Sequence, residues 1–246
     1  MLETALTFAA ALLLFCAGAA PAVTFGDAGE FAACAALLGL PHAPDYPLYT
    51  LTARALGTII PLGNWAYRTN LFSAACAAGA VAMLGAALRR LGFSAIVRGA
   101  ALTALALCPL WRYHAGVTEV FSLHLLACAA LLWLMARFGA GLAGARAAAA
   151  IGLVVGLGAG NHHTLALAAP AVAIQAWSAR PKKRTLARAA AWALVFAVLG
   201  SCVYAYLPLR AAKSPPLDWG HPVDAARFTR ALLRRDYGSL SLTVEG

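Results

Sequence analysis

Long uncharged apolar runs separated by short polar clusters set the pattern of this chain. Residues 4–22, 71–88, 120–136 and 189–209 each come close to the roughly 20 residues that carry a helix across a bilayer. Leu71 to Leu88 is entered past Arg68 and Asn70 and left at Arg89-Arg90. Gly99 to Trp111 is shorter and is extended if Arg98 snorkels. It finishes in Trp111-Arg112-Tyr113-His114, a sequence suited to a membrane interface. Val120 to Ala136 follows Glu119 and carries His124 one turn in.

Residues 147–160 supply 14 apolar positions, or about 21 Å of helix, against a hydrocarbon core of about 30 Å. They end in Gly158-Ala159-Gly160-Asn161-His162-His163, and Thr164 to Ala179 runs back. Residues 147–179 therefore read equally as two spans or as a re-entrant hairpin. Polar backbone at that depth is tolerated only where protein surrounds it.

Between the first two long runs, residues 23–65 break the pattern. Ala28 to Leu40 predicts a short helix with Phe31, Leu37 and Leu38 as its apolar contacts. Pro41-His42-Ala43-Pro44-Asp45-Tyr46-Pro47 holds three prolines in seven residues and excludes a helix. Leu48 to Ile60 predicts a second short helix, ended by Pro61 and Gly63. Both are expected to lie in the membrane interface. Residues 4–22 also resemble a signal peptide with a small-residue site at Ala17-Gly18-Ala19. Glu3 and the lack of Lys or Arg before the run favour an uncleaved helix.

Composition agrees with a membrane protein: 62% of the 246 residues are hydrophobic and 11% charged, where soluble domains carry about 25%. The net charge of +10 is split among loops, with no basic stripe of interleaved aromatics, which argues against nucleic-acid binding. The basic loops are Arg89, Arg90 and Arg98; Arg137 and Arg146; and Arg180, Lys182, Lys183, Arg184 and Arg188. They fall on one side if the N-terminus is cytoplasmic. Asp27, Glu30, Asp45, Glu119, Asp218, Asp224, Asp236 and Glu245 then fall outside, and Glu3 inside. About seven crossings are expected on this count, with a transmembrane module over 1–210 and an outer tail with an amphipathic helix over 211–246. The cysteines Cys16, Cys34, Cys76, Cys108, Cys128 and Cys202 have neither disulfide-framework nor zinc spacing.

Few residues can carry chemistry. Asp27 and Glu30, three apart at the start of the predicted outer helix, spell a capping box. They are also two carboxylates on one helix face that repel unless a cation, a proton or an acceptor lies between them. His162 and His163 can bind phosphate or move protons, but adjacent histidines point about 100° apart and do not share one metal. Glu119 with His124, and Arg210 after Tyr204 and Tyr206, read as interface residues or as site residues. Arg227, Arg230 and Arg234 sit at i, i+3 and i+7, as on a basic membrane-surface helix. No phosphate-binding Gly loop, zinc-protease or nucleophile-elbow motif is present.

One ordered set of motifs goes further. Gly26-Asp27-Ala28-Gly29-Glu30-Phe31, Pro41-His42-Ala43-Pro44-Asp45-Tyr46-Pro47-Leu48-Tyr49 and Arg68-Thr69-Asn70-Leu71-Phe72-Ser73 come first. Thr118-Glu119-Val120-Phe121-Ser122-Leu123, Gly160-Asn161-His162-His163-Thr164, Tyr206-Leu207-Pro208-Leu209-Arg210 and Pro216-Leu217-Asp218-Trp219-Gly220 follow. Over residues 20–237 the chain resembles the family once catalogued as domain of unknown function 2723, glycosyltransferase family 117 of the GT-C class, which includes an animal protein O-mannosyltransferase. Two positions depart from that family's pattern: Asp45 stands where Gly is usual and His221 where an acid is usual. The chain stops at Gly246 where family members continue, and is expected to be a fragment or a short member.

The resemblance implies an all-α polytopic membrane enzyme with a GT-C-like transmembrane module. Its site would lie in the first external loop, residues 23–65. A sugar, mannose by analogy, would move from a polyprenyl-phosphate carrier to an acceptor hydroxyl on protein, lipid or glycan. Asp27 is expected as the base and Glu30 as its positioning partner. His42, Arg68, Asn70, Glu119, His162, His163, Arg210, Asp218 and Trp219 are expected to bind donor phosphate or substrate. No metal or other cofactor is expected. The alanine-rich composition suggests a bacterial inner membrane with the site periplasmic. A transporter or flippase using Asp27, Glu119 and His162, or a non-catalytic module, is the alternative.

Overall fold

The structure, a computed structural model, describes residues 1–139, 141, 144–178 and 180–238. Glu245 and the last part of the predicted tail, 239–246, lie outside the described residues. The helices are α1 (Leu2–Ala17), α2 (Ala28–Leu37), α3 (Pro47–Ile59), α4 (Trp65–Arg90), α5 (Ala95–Leu107) and α6 (Pro109–Gly116). There follow α7 (Phe121–Phe138), α8 (Ala145–Ala159), α9 (Ala169–Ser178), α10 (Lys183–Ser201), α11 (Tyr206–Ala211) and α12 (Ala225–Leu232). Short 3-10 turns cover His163–Ala168, Cys202–Ala205 and Arg235–Tyr237. Among the described residues the β-type pairing is an isolated parallel bridge between Leu40 and Asp218.

The pillar is α4. Asn64 caps its start, its side chain accepting from the Tyr67 N–H. Its alanine-rich faces let neighbours approach closely. One face packs Ala74, Ala77, Ala78 and Val81 against Ala11 and Phe15 of α1 and Ala106 of α5. Higher up, Phe72 and Cys76 pack against Phe31 of α2 and Tyr49 and Ala53 of α3. So α2 and α3 pack against the bundle instead of standing apart from it. They are folded down onto the head of α4, with Phe31 and Tyr49 almost fully buried. The aromatic residues of the Pro-rich loop lock them there.

A second group forms around α8 and α10, which meet backbone to backbone. A Cβ built on Gly152 would come within 2.1 Å of the Ala193 carbonyl, and one on Gly156 within 2.1 Å of the Ala197 carbonyl. Glycine at i and i+4 removes the side chains that would keep the helices apart. Gly156→Val is therefore expected to destabilise the chain by about 1–3 kcal/mol or more through overpacking. Gly99→Val, with nothing within 4 Å of its Cβ, should leave the melting temperature in detergent unchanged.

The number of crossings differs from expectation. Among the described residues, three helices are long and apolar enough to cross: Trp65–Arg90, Phe121–Phe138 and Lys183–Ala211. A fourth is obtained if α5 and α6, bent by 62° at Cys108-Pro109, act as one span. The expected seven counted apolar runs that the fold breaks up. Helix α1 stops at Ala17 after 16 residues, about 24 Å. Residues 163–168 form a 3-10 turn that leaves α9 only 10 residues.

The charged groups still segregate along α1. At its start Glu3 pairs with Arg98 at 2.8 Å and Arg89 at 3.4 Å, which hold its carboxyl below the usual range. Near its end the Ala20 N–H bonds the Gly116 carbonyl. The acidic loop that follows lies at this second end of the bundle.

Candidate functional site

The Pro-rich loop brings His42 back to the first turn of α2. The His42 backbone N–H donates to Glu30 Oε1 at 2.6 Å, and His42 Nδ1 lies 2.8 Å from Glu30 Oε2. A carboxylate only accepts, so Nδ1 carries the proton. The other ring nitrogen, Nε2, faces Asp27 Oδ2 at 3.9 Å. Glu30 and His42 are mostly buried, with 20% and 16% of their side chains exposed, while Asp27 is 57% exposed. The result is a line of three groups ending in an open carboxylate.

This arrangement replaces the capping box that the spacing also permits. Asp27 occupies the N-cap of α2 but its side chain makes no capping bond. Glu30 does not reach back to the start of the helix, because both its oxygens are taken by His42. Hydrogen bonding to Glu30 raises the His42 pKa above its ordinary value; burial opposes this, and the charges of Glu30 and Asp27 add to it.

Several elements hold this line in place. The C-terminal carbonyls of α2, which no helical N–H satisfies, are taken by guanidinium groups. Arg54 donates to Ala36, and Arg210 donates to Leu38 at 2.6 Å and Leu37 at 2.9 Å. Tyr206 donates to the Gly39 carbonyl at 3.0 Å. A side chain at Gly39 would meet Leu217 at 2.9 Å and Cys34 at 3.1 Å, so the chain can pass here only as glycine. Leu40 then pairs with the tail: its N–H bonds the Leu217 carbonyl, and the Trp219 N–H bonds the Leu40 carbonyl. Asn70 donates to the carbonyls of Ala20 at 2.7 Å and Ala22 at 3.2 Å, and accepts from Thr118 at 2.6 Å. It thereby fixes the strand of chain leading to Asp27.

The predicted residues thus divide. Glu119 is brought to the cluster, its Oε1 lying 3.9 Å from the position of a Cβ on Gly26. Burial, and then the Asp27 charge, raise its pKa. The Asn161-His162-His163 turn also adjoins, since the Leu48 N–H at the start of α3 bonds the Gly160 carbonyl. His162 Nδ1 meets the Thr164 hydroxyl at 2.7 Å, and His163 Nε2 meets the Tyr204 hydroxyl at 2.9 Å. Arg68 donates to the Gly57 and Gly63 carbonyls and stacks on Trp65, and Arg210 holds α2. Their guanidinium groups are committed to backbone. Asp218 bonds His221 at 2.5 Å, and the Trp219 backbone holds Leu40.

Arg234 was hidden in the sequence pattern. Helix α12 ends at Leu232, and Arg234 takes a left-handed backbone, φ 51°. It therefore leaves the face it would share with Arg227 and Arg230. It lies over the Tyr237 ring, 5.9 Å from the centroid, and the Tyr237 ring is 6.0 Å from that of His42. Its charge acts on His42, His162 and His163. The signal available in the sequence was the run Arg234-Arg235-Asp236-Tyr237 immediately after an apolar stop.

One ligand atom each from Asp27, Glu30 and His42 lies within 4.8 Å of the others, a spacing a divalent cation can bridge. Such an ion would have to displace the His42 bonds from Glu30. The arrangement as it stands suits proton transfer: an open carboxylate beside an imidazole oriented by a buried one.

Comparison with known proteins matches residues 27–185 to the family described as "Protein O-mannosyl-transferase TMEM260 N-terminal domain". A mouse (Mus musculus) protein, "Protein O-mannosyl-transferase TMEM260", is 33% identical over 228 residues, 88% of this chain and 32% of the mouse protein. The chain thus spans about a third of the length of that curated relative. No solved structure matches. A mouse relative lends no support to the bacterial setting expected from composition.

Proposed function

This chain belongs to the protein O-mannosyl-transferase TMEM260 N-terminal domain family, and on that premise we propose that it is the site-bearing part of a membrane glycosyltransferase. It moves a hexose, mannose by analogy with the mouse relative, from a polyprenyl-phosphate carrier to an acceptor hydroxyl such as a protein Ser or Thr. The site lies on the extracytoplasmic side, in keeping with the basic loops opposite. The observation that carries the reading is the Asp27–His42–Glu30 line, open at Asp27 and closed at Glu30.

In the reaction, Asp27 takes the proton of the acceptor hydroxyl. The hydroxyl oxygen bonds to the anomeric carbon as the bond from that carbon to the phosphate oxygen breaks. The electron pair leaves on the phosphate. His42, held by Glu30, fixes and electrostatically supports Asp27. His162, His163 and Arg234 supply positive or donor groups to the phosphate. An apolar cleft of about 360 Å³ between α8, α9 and α10, lined by Ile151, Val155, Leu165, Val172 and Leu194, suits an isoprenoid chain. Leu165 places it two residues from His163.

The test is transfer of label from radiolabelled polyprenyl-phosphate mannose to a Ser/Thr-containing protein, by purified protein in proteoliposomes. With both Glu30 oxygens bound to His42, transfer is expected to survive EDTA unchanged. Loss in EDTA with recovery on adding Mn²⁺ would make Asp27, Glu30 and His42 metal ligands instead. Label that crosses the membrane without being transferred would favour a transporter.

A further inference from the structure

Beside the His42 loop lies a cavity of about 400 Å³ lined by Asp45, Trp219, Arg227, Arg230, Asp236 and Tyr237. Its unusual wall is Asp45. The residue is only 1% exposed, yet neither carboxylate oxygen has a hydrogen-bond partner among the described residues. Asp218 nearby is in a related state, with Oδ2 bonded to His221 and Oδ1 buried without a partner. Burial, and then the charge of Asp218, push the Asp45 carboxyl up to about 7.

A buried carboxylate without donors costs free energy, because it has given up water and received nothing in exchange. The nearby cations do not answer it. Arg230 pairs with Asp236 at 2.5 Å and Arg227 with Asp224 at 3.5 Å. Such a group is accounted for when a ligand brings the donors.

The chemistry of the walls narrows that ligand. The volume falls in the range of small-molecule pockets, about 300–1,000 Å³, and is far more than one ion needs. Free carboxylate oxygens call for hydroxyl or N–H donors. Arg227 and Arg230 also line the cavity, and each guanidinium has N–H groups beyond those paired with Asp224 and Asp236 to donate to oxygen. Trp219 and Tyr237 add aromatic surface to the lining, against which C–H groups pack. A ring that carries hydroxyls along its edge and C–H groups on its face answers all three.

We infer that this cavity is a binding subsite for one hexosyl unit, whose hydroxyls donate to Asp45 while its ring rests on Trp219. Tyr237 forms a wall of the cavity and its ring lies 6.0 Å from that of His42, so one side chain stands between the subsite and the Asp27 line. The inference leans on the glycosyltransferase reading only for the choice of a mannoside as probe.

The test is saturation-transfer NMR of methyl α-D-mannoside with the full chain in detergent. Wild type is expected to saturate the probe, and Asp45→Gly to lose the effect at least fivefold. Glycine accepts the left-handed backbone at this position, φ 69°, and removes the unpartnered acid, so the melting temperature should hold or rise. Trp219→Ala, at an exposed side chain, should lower the signal in the same way. Asp27→Asn should keep probe binding while losing transfer. Equal signals in wild type and both cavity variants, or no signal in wild type, would overturn the subsite. If Asp45-dependent binding is found in a chain that transfers nothing, the transferase reading falls and the subsite stands.

Discussion

Asp27→Asn is expected to lower sugar transfer by about 10³-fold or more while leaving insertion, folding and donor binding intact. The magnitude is that of losing a positioned general base, about 10²–10⁴ in rate. The structure makes the substitution clean. The Asp27 side chain does not cap α2, so the isosteric amide removes no helix-stabilising bond. The nearest ion-pair atom is His42 Nε2 at 3.9 Å, which an amide oxygen can still face. Activity and stability should therefore separate: a large loss of turnover with a melting temperature within a degree or two of wild type. If the acid were mainly a cap, the reverse pattern would appear.

His42→Ala is expected to cost about 10–100-fold in turnover, less than Asp27→Asn because it removes support and not the base. Glu30 then keeps only one partner in a mostly buried position, and Asp27 loses its neighbouring imidazole. This variant should also be less stable, and the pH dependence identifies the cause. The folded-state pKa of His42 is raised by Glu30. Its contribution to stability is therefore fully present below the unfolded value, about 6.5. It is lost as pH rises through the raised folded value. Wild type should lose melting temperature across that upper window, and His42→Ala should not. Asp45, raised to about 7, also destabilises with rising pH, but starting from about 4. The comparison is therefore best made in the Asp45→Gly background.

Much of the helical framework was legible from apolar runs and breakers. Ala28 opens α2 and the Pro-rich loop ends where Pro47 opens α3, because proline is costly in a helix interior and tolerated in its first turn. Crossing number was less legible, since a run of apolar residues does not reveal that His163–Ala168 tightens into a 3-10 turn or that Cys108-Pro109 bends a span. Gly152 and Gly156 did carry a readable signal, small residues one turn apart. At the site, Asp27-Ala28-Gly29-Glu30 fits a capping box and a catalytic pair equally. What separates them is His42, 12 residues on, whose return depends on Arg54, Arg210, Tyr206 and Leu217 from distant parts of the chain. Local spacing contains none of that. Arg234 was misplaced because the i, i+3, i+7 pattern assumes a helix that stops two residues earlier.

The central claim is that the open carboxylate of Asp27, backed by His42 and Glu30, carries sugar transfer. The most direct measurement compares wild type and Asp27→Asn side by side in proteoliposomes, counting protein-bound label from radiolabelled polyprenyl-phosphate mannose. The account predicts labelled acceptor with wild type and background counts with Asp27→Asn at equal protein and equal melting temperature. Equal labelling by the two proteins would contradict it.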